Sequence, residues 1–277
     1  MPKNKLKTLN AHVIASQGTQ RNYLACLSLY KSWCKTNEVP KGEQSSLKYL
    51  QIYLEEKAEL YQQKTLCQQR MALNFGYHKK LKFVKSELET IVAARDYKFS
   101  EILEIIKNIS ARNAIAILLC YYSGLRAHEL CTIQQFEDDR RSDTRKWTEF
   151  LFVEEDQFIV YIVTGKGGLR RHVAIPVELS EIIESRRFTV PRKVIDRGIF
   201  YWMNYDLGFG KALSQCFTRA SLKNLGWSTG LHGTRHSYAK NRIKKLIDCG
   251  FKLDQAKLIV SQELGHFRPE IVNCYLR

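Results

Sequence analysis

The chain has 277 residues, 44% of them hydrophobic, which is enough for one large domain or two ordinary domains with a sizeable core. Lysine and arginine number 44 against 28 acidic residues, a formal charge of +16, which favours a polyanionic partner such as nucleic acid or an anionic membrane surface. The longest apolar run, residues 114–122, is far shorter than the roughly 20 residues of a spanning helix, and the first lysines are not followed by the apolar stretch of a secretory signal. We therefore expect no membrane-spanning segment and a cytoplasmic protein.

The first part of the chain has the periodicity of amphipathic helices. Apolar residues recur at spacings of three and four in two segments, at Tyr23, Leu27, Tyr30 and Cys34 and again at Leu47, Leu50 and Leu54. Further helices are expected at about residues 64–75 and 84–94. Residues 1–95 contain 16 lysines and arginines and 7 acids, a balance of +9. We interpret this segment as a basic, all-helical domain.

The second domain, residues 96–277, is expected to begin with helices. Ser100 offers a cap to a helix with apolar residues from 102 to 109, and further helices are predicted near 113–122 and from about 126 to 135. Three apolar segments then predict strands at 149–153, 158–164 and 171–175, which form an antiparallel meander. Helical patterns continue from about residue 177 to the end. The predicted fold class is mainly α with a small three-stranded antiparallel sheet (α+β).

Two basic residues of the second domain stand in glycine-containing turns. Arg126 follows the turn at Ser123-Gly124, and Glu129 is placed to hold it through an i, i+3 pair. Lys166 lies at the tip of the hairpin between the second and third strands, where flanking glycines let it approach a backbone phosphate. By itself, each is more often an exposed surface cation. The spacing Gly-x-x-x-x-Gly-Lys-Ser/Thr is absent, so no nucleotide-binding loop is predicted.

Two histidines, an arginine and a tyrosine follow towards the carboxyl end. His232 and Arg235 stand three residues apart, hence on one helix face, where both can contact the same substrate oxygens. His266 lies in a turn, and Tyr275 follows nine residues later on a short helix that Pro269 is suited to begin. Each of these residues, taken alone, is more often structural.

Together the six side chains supply what displacement of an alcohol from a phosphodiester requires. The reaction needs an oxygen nucleophile, a proton acceptor, cations on the non-bridging oxygens and an acid for the leaving oxygen. The planar fork of arginine suits phosphate oxygens. The eight cysteines include no Cys-x-x-Cys pair, and no acidic cluster has metal-ligand spacing, so we expect reduced thiols and no metal.

The order Arg, Lys, His-x-x-Arg, Gly-His, Tyr resembles the tyrosine recombinase (phage integrase) family from about residue 99 to the carboxyl terminus. The basic helical domain resembles the core-binding (SAM-like) DNA-binding domain of the same family in character and position. One departure is Thr234, which stands where the family usually has leucine. The resemblance implies a catalytic set of Arg126, Lys166, His232, Arg235, His266 and Tyr275.

The resemblance also implies a role for each member of this set. Tyr275 would form a 3′-phosphotyrosyl bond and expel a 5′-hydroxyl, with Lys166 as the general acid and His232 assisting proton removal. The two arginines would clamp the scissile phosphate, and His266 would hydrogen-bond the phosphate and help to position the tyrosine. Because the covalent intermediate conserves bond energy, no cofactor is implied.

The partners implied by the resemblance are double-stranded DNA and three further copies of the chain. Family members close two domains around duplex DNA and assemble as tetramers on paired sites, which leaves room for accessory DNA-bending proteins and implies association with the nucleoid. Many members continue beyond the tyrosine into a segment that docks on the neighbouring protomer, whereas two residues follow Tyr275 here. How protomers contact one another is therefore left open.

Two alternative functions and one alternative nucleophile are kept. A type IB topoisomerase shares the tyrosine and much of the cationic set, and a non-catalytic DNA-binding protein would keep only the clamp. Tyr238, close to Arg235, competes with Tyr275 as nucleophile. Candidate DNA contacts outside the catalytic set are Lys79, Lys80, Lys82, Arg170 and Arg171, although such charge runs are more often solvated faces.

Overall fold

The computed structural model describes residues 16–88, 94–138 and 140–276, with the backbone alone at Asp138 and Lys166. The chain divides into two compact units, Met1–Val92 and Ala93–Arg277. This division falls close to the boundary expected after residue 95. Within the described residues, no helix is long and apolar enough to cross a membrane.

The described part of the first unit contains three helices, α1 (Gln17–Thr36), α2 (Leu47–Glu56) and α3 (Gln63–Tyr77), as the periodicity predicts. Their apolar stripes meet in one core. Tyr30, Trp33 and Tyr53 pack at its centre, with ring centroids 5.1 to 5.9 Å apart. Aromatic side chains bury large areas, so this cluster is a major source of stability for the unit.

The helix expected at residues 84–94 is absent over residues 84–88, and residues 89–93 lie outside the described chain. Ser86 is held by polar contacts instead. Its hydroxyl donates to the Tyr61 carbonyl at 2.6 Å, and its N–H donates to Gln63 Oε1 at 2.8 Å. Because these contacts use groups that a helix would pair internally, the helix prediction was wrong here.

The second unit is mainly helical, with two small antiparallel sheets. Its α-helices are α4 (Phe99–Ile106), α5 (Ala111–Ser123), α6 (Val177–Glu184), α7 (Gly210–Leu225), α8 (His232–Asp248) and α9 (Leu253–Glu263). One sheet has the order β1 (Gln134–Gln135), β2 (Phe158–Thr164), β3 (Arg170–Pro176), and the other is the hairpin of β4 (Arg187–Asp196) and β5 (Ile199–Tyr205). The predicted fold class is confirmed, and the first sheet has three strands as expected.

The first strand of that sheet and the preceding helix differ from the prediction. Residues 149–153 form turns, because Glu263 accepts a hydrogen bond from the N–H of Phe152 at 2.9 Å and Phe152 takes a left-handed φ of 61°. The segment predicted as a helix from 126 to 135 contains a 3₁₀ turn, Glu129–Thr132, and then β1, which pairs with β2. The N–H of Thr164 in β2 donates to Thr132 Oγ1 at 3.0 Å, which fixes this pairing.

Two further sequence predictions were wrong. The helices expected from residue 177 onward are interrupted by the β4–β5 hairpin. Helix α4 begins one residue before Ser100, and Lys98 occupies the cap position, where its N–H donates to Glu101 Oε2 at 2.7 Å. The carboxylate of Glu101 therefore does the capping that we expected of the Ser100 hydroxyl.

Gly124 determines how closely the elements around the candidate site approach one another. It ends α5 with a φ of +59°, and a Cβ added there would lie 2.7 Å from side-chain atoms of both Leu264 and Tyr238. A larger residue would meet both the steric and the conformational penalty. The turn that carries Arg126 is thus packed against α8 and the end of α9.

Candidate active site

Four segments of the second unit converge on the Tyr275 side chain. Arg126 follows the turn after α5, and Arg235 lies in the first turn of α8. His266 follows α9, and Tyr275 directly follows the 3₁₀ turn Pro269–Cys274, which begins with proline as predicted. Residues spread over 150 positions of the sequence therefore meet because α5, α8 and α9 pack together.

The Tyr275 hydroxyl contacts two members of the predicted set. It accepts a hydrogen bond from Arg235 Nε at 3.3 Å, and it lies 3.2 Å from His266 Nε2. The ring packs against His236, with centroids 4.8 Å apart, and the whole residue is only 5% exposed. Tyr275 is thus held in one position by hydrogen bonds and ring packing.

The tautomer of His266 follows from its second contact. Nε2 of His266 also lies 3.2 Å from Arg126 Nη2, and a guanidinium can only donate. Nε2 must therefore be an unprotonated acceptor, and the proton of a neutral ring is on Nδ1. Burial, followed by the charges of Arg235 and Arg126, lowers the pKa of His266 to about 4, so the ring is neutral at pH 7. The Tyr275 hydroxyl lies 3.2 Å from the same nitrogen and shares its lone pair with Arg126.

Arg235 is completely buried and fully engaged with the protein. Besides Tyr275, its guanidinium donates to the carbonyl oxygens of Gly124 and Leu264. Burial, followed by the charge of Arg126, lowers its pKa to about 10, which leaves it charged at neutral pH. Arg235 thus holds together the ends of α5 and α9 and orients the tyrosine. A phosphate contact would require one of these carbonyl bonds to be exchanged.

A buried carboxylate, Glu129, offsets part of the positive charge of the arginine cluster. Glu129 accepts from Arg126 Nη1 at 2.7 Å, which confirms the predicted i, i+3 pair, and from Arg171 Nη2 at 2.8 Å. Burial by itself would raise the pKa of Glu129, but the charges of Arg171, Arg235 and Arg126 together hold it well below its usual range. The carboxylate is ionised and fixes two arginines in place.

Arg171, predicted from the sequence as a DNA contact, is buried in the structure. Its side chain is 1% exposed and donates to Glu129 and, at 2.6 Å, to the carbonyl oxygen of Glu263. In β3 the residues at 171, 173 and 175 all face the interior. Its neighbour Arg170 is half-buried, and Lys79, Lys80 and Lys82 of the first unit are exposed.

His232 and Arg126 share an open cleft beside this cluster. The cleft measures about 210 Å³ and is also lined by His128, Arg197 and Ser214. His232 is exposed on one side, yet the packing of its ring, followed by the charge of Arg235, lowers its pKa to about 4. The ring centroid of His232 lies 6.0 Å from that of Tyr275, so His232 lies close to the contact between Tyr275 and His266.

Lys166 occupies the predicted hairpin tip between β2 and β3. Its side chain lies outside the part of the chain that the structure describes. The structure therefore brings five of the six predicted residues together, and the backbone of the sixth lies two residues beyond the end of β2.

Tyr238, the alternative nucleophile, is directed away from these residues. It is 8% exposed, and its hydroxyl donates to Glu263 Oε2 at 2.9 Å. Burial, followed by the charge of Glu263, raises its pKa well above the usual value. Glu263 also pairs with the buried Arg242 at 3.0 Å. Tyr238 thus belongs to a structural ion-pair cluster at the end of α9.

Sequence reasoning missed His236, Glu263 and the buried role of Arg171. His236 is one turn from His232, so the helical period alone places it beside the same site. Glu263 immediately precedes the Leu264-Gly-His266 motif, but its partners Arg242 and Phe152 are distant in sequence. Over the described residues, no group of three histidine, cysteine or acidic side chains is arranged to hold a metal ion.

The fold and the convergence of these residues define a class of protein. The chain has the fold of tyrosine recombinases, and its resemblance to that family is confirmed by a curated relative and by solved structures. Among solved structures, it is similar to a lambda integrase dimer bound to a COC′ core site (TM-score 0.60, 15% identity, 98% of this chain and 74% of that one). It is likewise similar to the XerH site-specific recombinase in a post-cleavage complex with palindromic difH (TM-score 0.57, 18% identity, 93% and 75%).

A curated relative is tyrosine recombinase XerA of Pyrococcus furiosus. It is 24% identical over 181 residues, which cover 64% of this chain and 54% of that protein. The chain thus spans about half the length of the curated relative that it matches. No protein-family profile matches the chain.

Proposed function

We propose that the chain is a site-specific DNA recombinase that cleaves and rejoins DNA strands through a 3′-phosphotyrosyl intermediate at Tyr275. The observation that carries this proposal is the 3.2 Å contact between the Tyr275 hydroxyl and Nε2 of His266, beside Arg126 and Arg235. A nucleophile bonded to a base, which a third group in turn orients, is the arrangement that activates a hydroxyl.

The tyrosine oxygen attacks the scissile phosphorus and its proton passes to Nε2 of His266, while the bond from phosphorus to the 5′-oxygen breaks. Lys166, at the hairpin tip, protonates the leaving oxygen. The reverse reaction with a new 5′-hydroxyl rejoins the strand, so bond energy is conserved without a cofactor.

The two arginines, Arg126 and Arg235, have different proposed roles. Arg126 lines the open cleft with His232, so both are available to the non-bridging oxygens of a phosphate there. Arg235 is buried, and its Nε donates to the tyrosine oxygen at 3.3 Å, so its part is to orient the nucleophile. This arrangement makes His266 the proton acceptor and moves His232 to the phosphate, the reverse of what the family resemblance implies.

The proposed partner is double-stranded DNA, with a homotetramer assembled on paired sites. The lambda integrase and XerH structures named above are complexes with DNA. Lys79, Lys80 and Lys82 are exposed on the first unit and Arg170 lies beside the hairpin, so we propose them as backbone contacts. The target sequence is not part of the proposal, since base readout depends on contacts in the bound complex.

The test uses a pool of nicked duplexes with randomised sequence, so that no target site is assumed. We expect a covalent protein–DNA adduct on denaturing gels, with the attached peptide containing Tyr275. Tyr275→Phe should abolish the adduct, and Tyr238→Phe should keep it. An adduct that persists in Tyr275→Phe would overturn the assignment. Relaxation of a supercoiled plasmid without joining of two sites would indicate a topoisomerase instead.

A further inference from the structure

The β4–β5 hairpin has one face built of large apolar side chains that the core does not use. Lys193 is paired with Trp202 and Ile195 with Phe200, and since residues two apart on a strand share a face, these four stand together. Ile195, Phe200 and Trp202 are 56, 63 and 64% exposed. Single exposed apolar residues are ordinary, but a contiguous group of this kind indicates a binding surface.

The opposite face of the hairpin anchors it to the second unit. Met203 and Tyr205 are each 1% exposed and belong to the main core, and Val194 packs against that core. The Tyr205 hydroxyl donates to Glu184 Oε1 at 2.8 Å. The outer face is therefore displayed on a fixed support.

Positive charge surrounds the outer face. Residues 187–205 contain four cations and a single acid, Asp196. Lys193 Nζ lies 4.6 Å from the centroid of the Phe200 ring, and the Arg192 guanidinium lies 4.1 Å from that of Phe188. Asp196 is 8% exposed, accepts from the N–H of Lys211 and pairs with Arg197 at 3.3 Å, so it offsets the charge of Arg197 but not that of Lys193.

The hairpin also reaches the candidate active site. Its turn carries Arg197, which lines the same cleft as Arg126 and His232. Ile195 and Phe200 form the second cross-strand pair from this turn. A strand that leaves the cleft in that direction meets the aromatic face within a few residues.

These features favour a nucleic acid over a second copy of the chain. If two copies associated symmetrically through this face, their Lys193 side chains would meet, and like charges repel. Strand addition along β4 is hindered as well, because Pro191 lacks an N–H and the pairing with β5 is irregular between Arg187 and Arg192. A polyanion has the complementary charge.

We propose that this face binds unpaired bases of DNA, with Phe200 and Trp202 as stacking platforms and Lys193 beside the phosphates. Exposed aromatic rings on a sheet, among cations, are suited to unstacked bases whatever their sequence. The inference rests on the proposed function in one respect: a cleaved strand must unpair before it joins a new partner, and the hairpin face would hold the freed bases next to the cleft.

The experiment compares the double variant Phe200→Thr, Trp202→Thr with the unchanged full chain. Threonine keeps the strand preference at both positions. Binding of a labelled oligothymidylate, followed by fluorescence anisotropy, should weaken roughly 10-fold for each ring removed. The matched control is Phe150→Thr, which removes a 47% exposed aromatic ring outside the hairpin and should leave binding unchanged.

Two results would overturn the inference. One is equal oligothymidylate affinity in the double variant and the unchanged chain. The other is self-association of the unchanged chain in sedimentation, lost in the double variant while oligothymidylate binding stays the same, which would make the face an interface between copies.

Failure of the proposed function has a different signature. The unchanged chain and the double variant should form the Tyr275 adduct on nicked duplex at the same initial rate, because the hairpin face does not touch the tyrosine. If neither forms an adduct but the oligothymidylate difference persists, the recombinase proposal fails and the base-binding surface stands.

Discussion

Arg171 and Glu129 form an ion pair of 2.8 Å in which the two side chains are 1% and 0% exposed. Removing one partner leaves an uncompensated buried charge, which typically costs about 3 to 5 kcal/mol. We therefore expect Glu129→Gln to lower the free energy of unfolding by about that amount, as measured by urea denaturation. The control, Glu104→Gln, removes an exposed pair with Lys107 at 3.7 Å and should cost less than about 1 kcal/mol. Equal effects of the two substitutions would contradict this picture.

The two histidines near Tyr275 should differ in their effect on cleavage. His266→Gln removes the proton acceptor and should slow adduct formation by at least about 100-fold, the usual range for general base catalysis. His232→Gln should have a smaller effect, because His266, and not His232, lies within hydrogen-bond distance of the hydroxyl in the described structure. Single-turnover rates on nicked duplex measure both, with His172→Gln as a control on β3. A larger loss in His232→Gln would return the base role to His232.

Acid should destabilise the second unit through His236. Burial, followed by the charge of Arg95, lowers its pKa in the folded chain to about 4, against about 6.5 when unfolded. The unfolded chain therefore binds the proton first, and stability falls as the pH drops from about 6.5 towards 4. This group accounts for about 2 kcal/mol between pH 7.5 and 5 at most. Urea denaturation at the two pH values should show a smaller difference in His236→Gln. An unchanged difference would mean that other groups cause it.

The general acid role of Lys166 is testable by changing the leaving group. Lys166→Ala should slow cleavage of ordinary DNA, because the 5′-oxygen then leaves without a proton. A substrate with a bridging 5′-thiol needs little protonation, so the variant should cleave it nearly as fast as the unchanged chain does. Rates that fall equally on both substrates would rule out the acid role.

The lysines at 79, 80 and 82 should affect duplex binding through its salt dependence. Each phosphate contact adds about 0.9 to the slope of log affinity against log salt. Replacing all three by alanine should reduce that slope by roughly 2 to 3. A control triple variant at Lys31, Lys35 and Lys41, also exposed on the first unit, makes the same change in net charge. Identical slopes for the two triple variants would assign the effect to overall charge.

The order of short motifs predicted which residues meet at Tyr275, but tertiary contacts decided several local structures. Residues 149–153 have the composition of a strand, yet the distant Glu263 holds them as turns. The strand Gln134–Gln135 is too short for any periodicity to reveal it. The conformation of each segment depends on a partner that is distant in sequence, and a local sequence pattern cannot reveal that partner.

Other features could have been predicted from the sequence. Arg171 is two residues from Val173 and four from Ile175. Residues two apart on a strand share a face, so the sequence places Arg171 on the buried face of β3. The β4–β5 hairpin has β-branched and aromatic residues on both sides of Asp196-Arg-Gly198, which is a turn signal. The strand and turn pattern was therefore present in the sequence, and the error was to expect helices from residue 177 to the end.

The buried Glu129 also limits how the sequence can change over evolution. A neutral residue there would leave Arg126 and Arg171 without their shared carboxylate, and a change at either arginine would leave that carboxylate short of a partner. Each single step thus passes through a less stable protein. Substitutions at the three positions should therefore be inherited together in diverging lineages, whereas exposed positions such as Glu104 and Lys107 are free to drift one at a time.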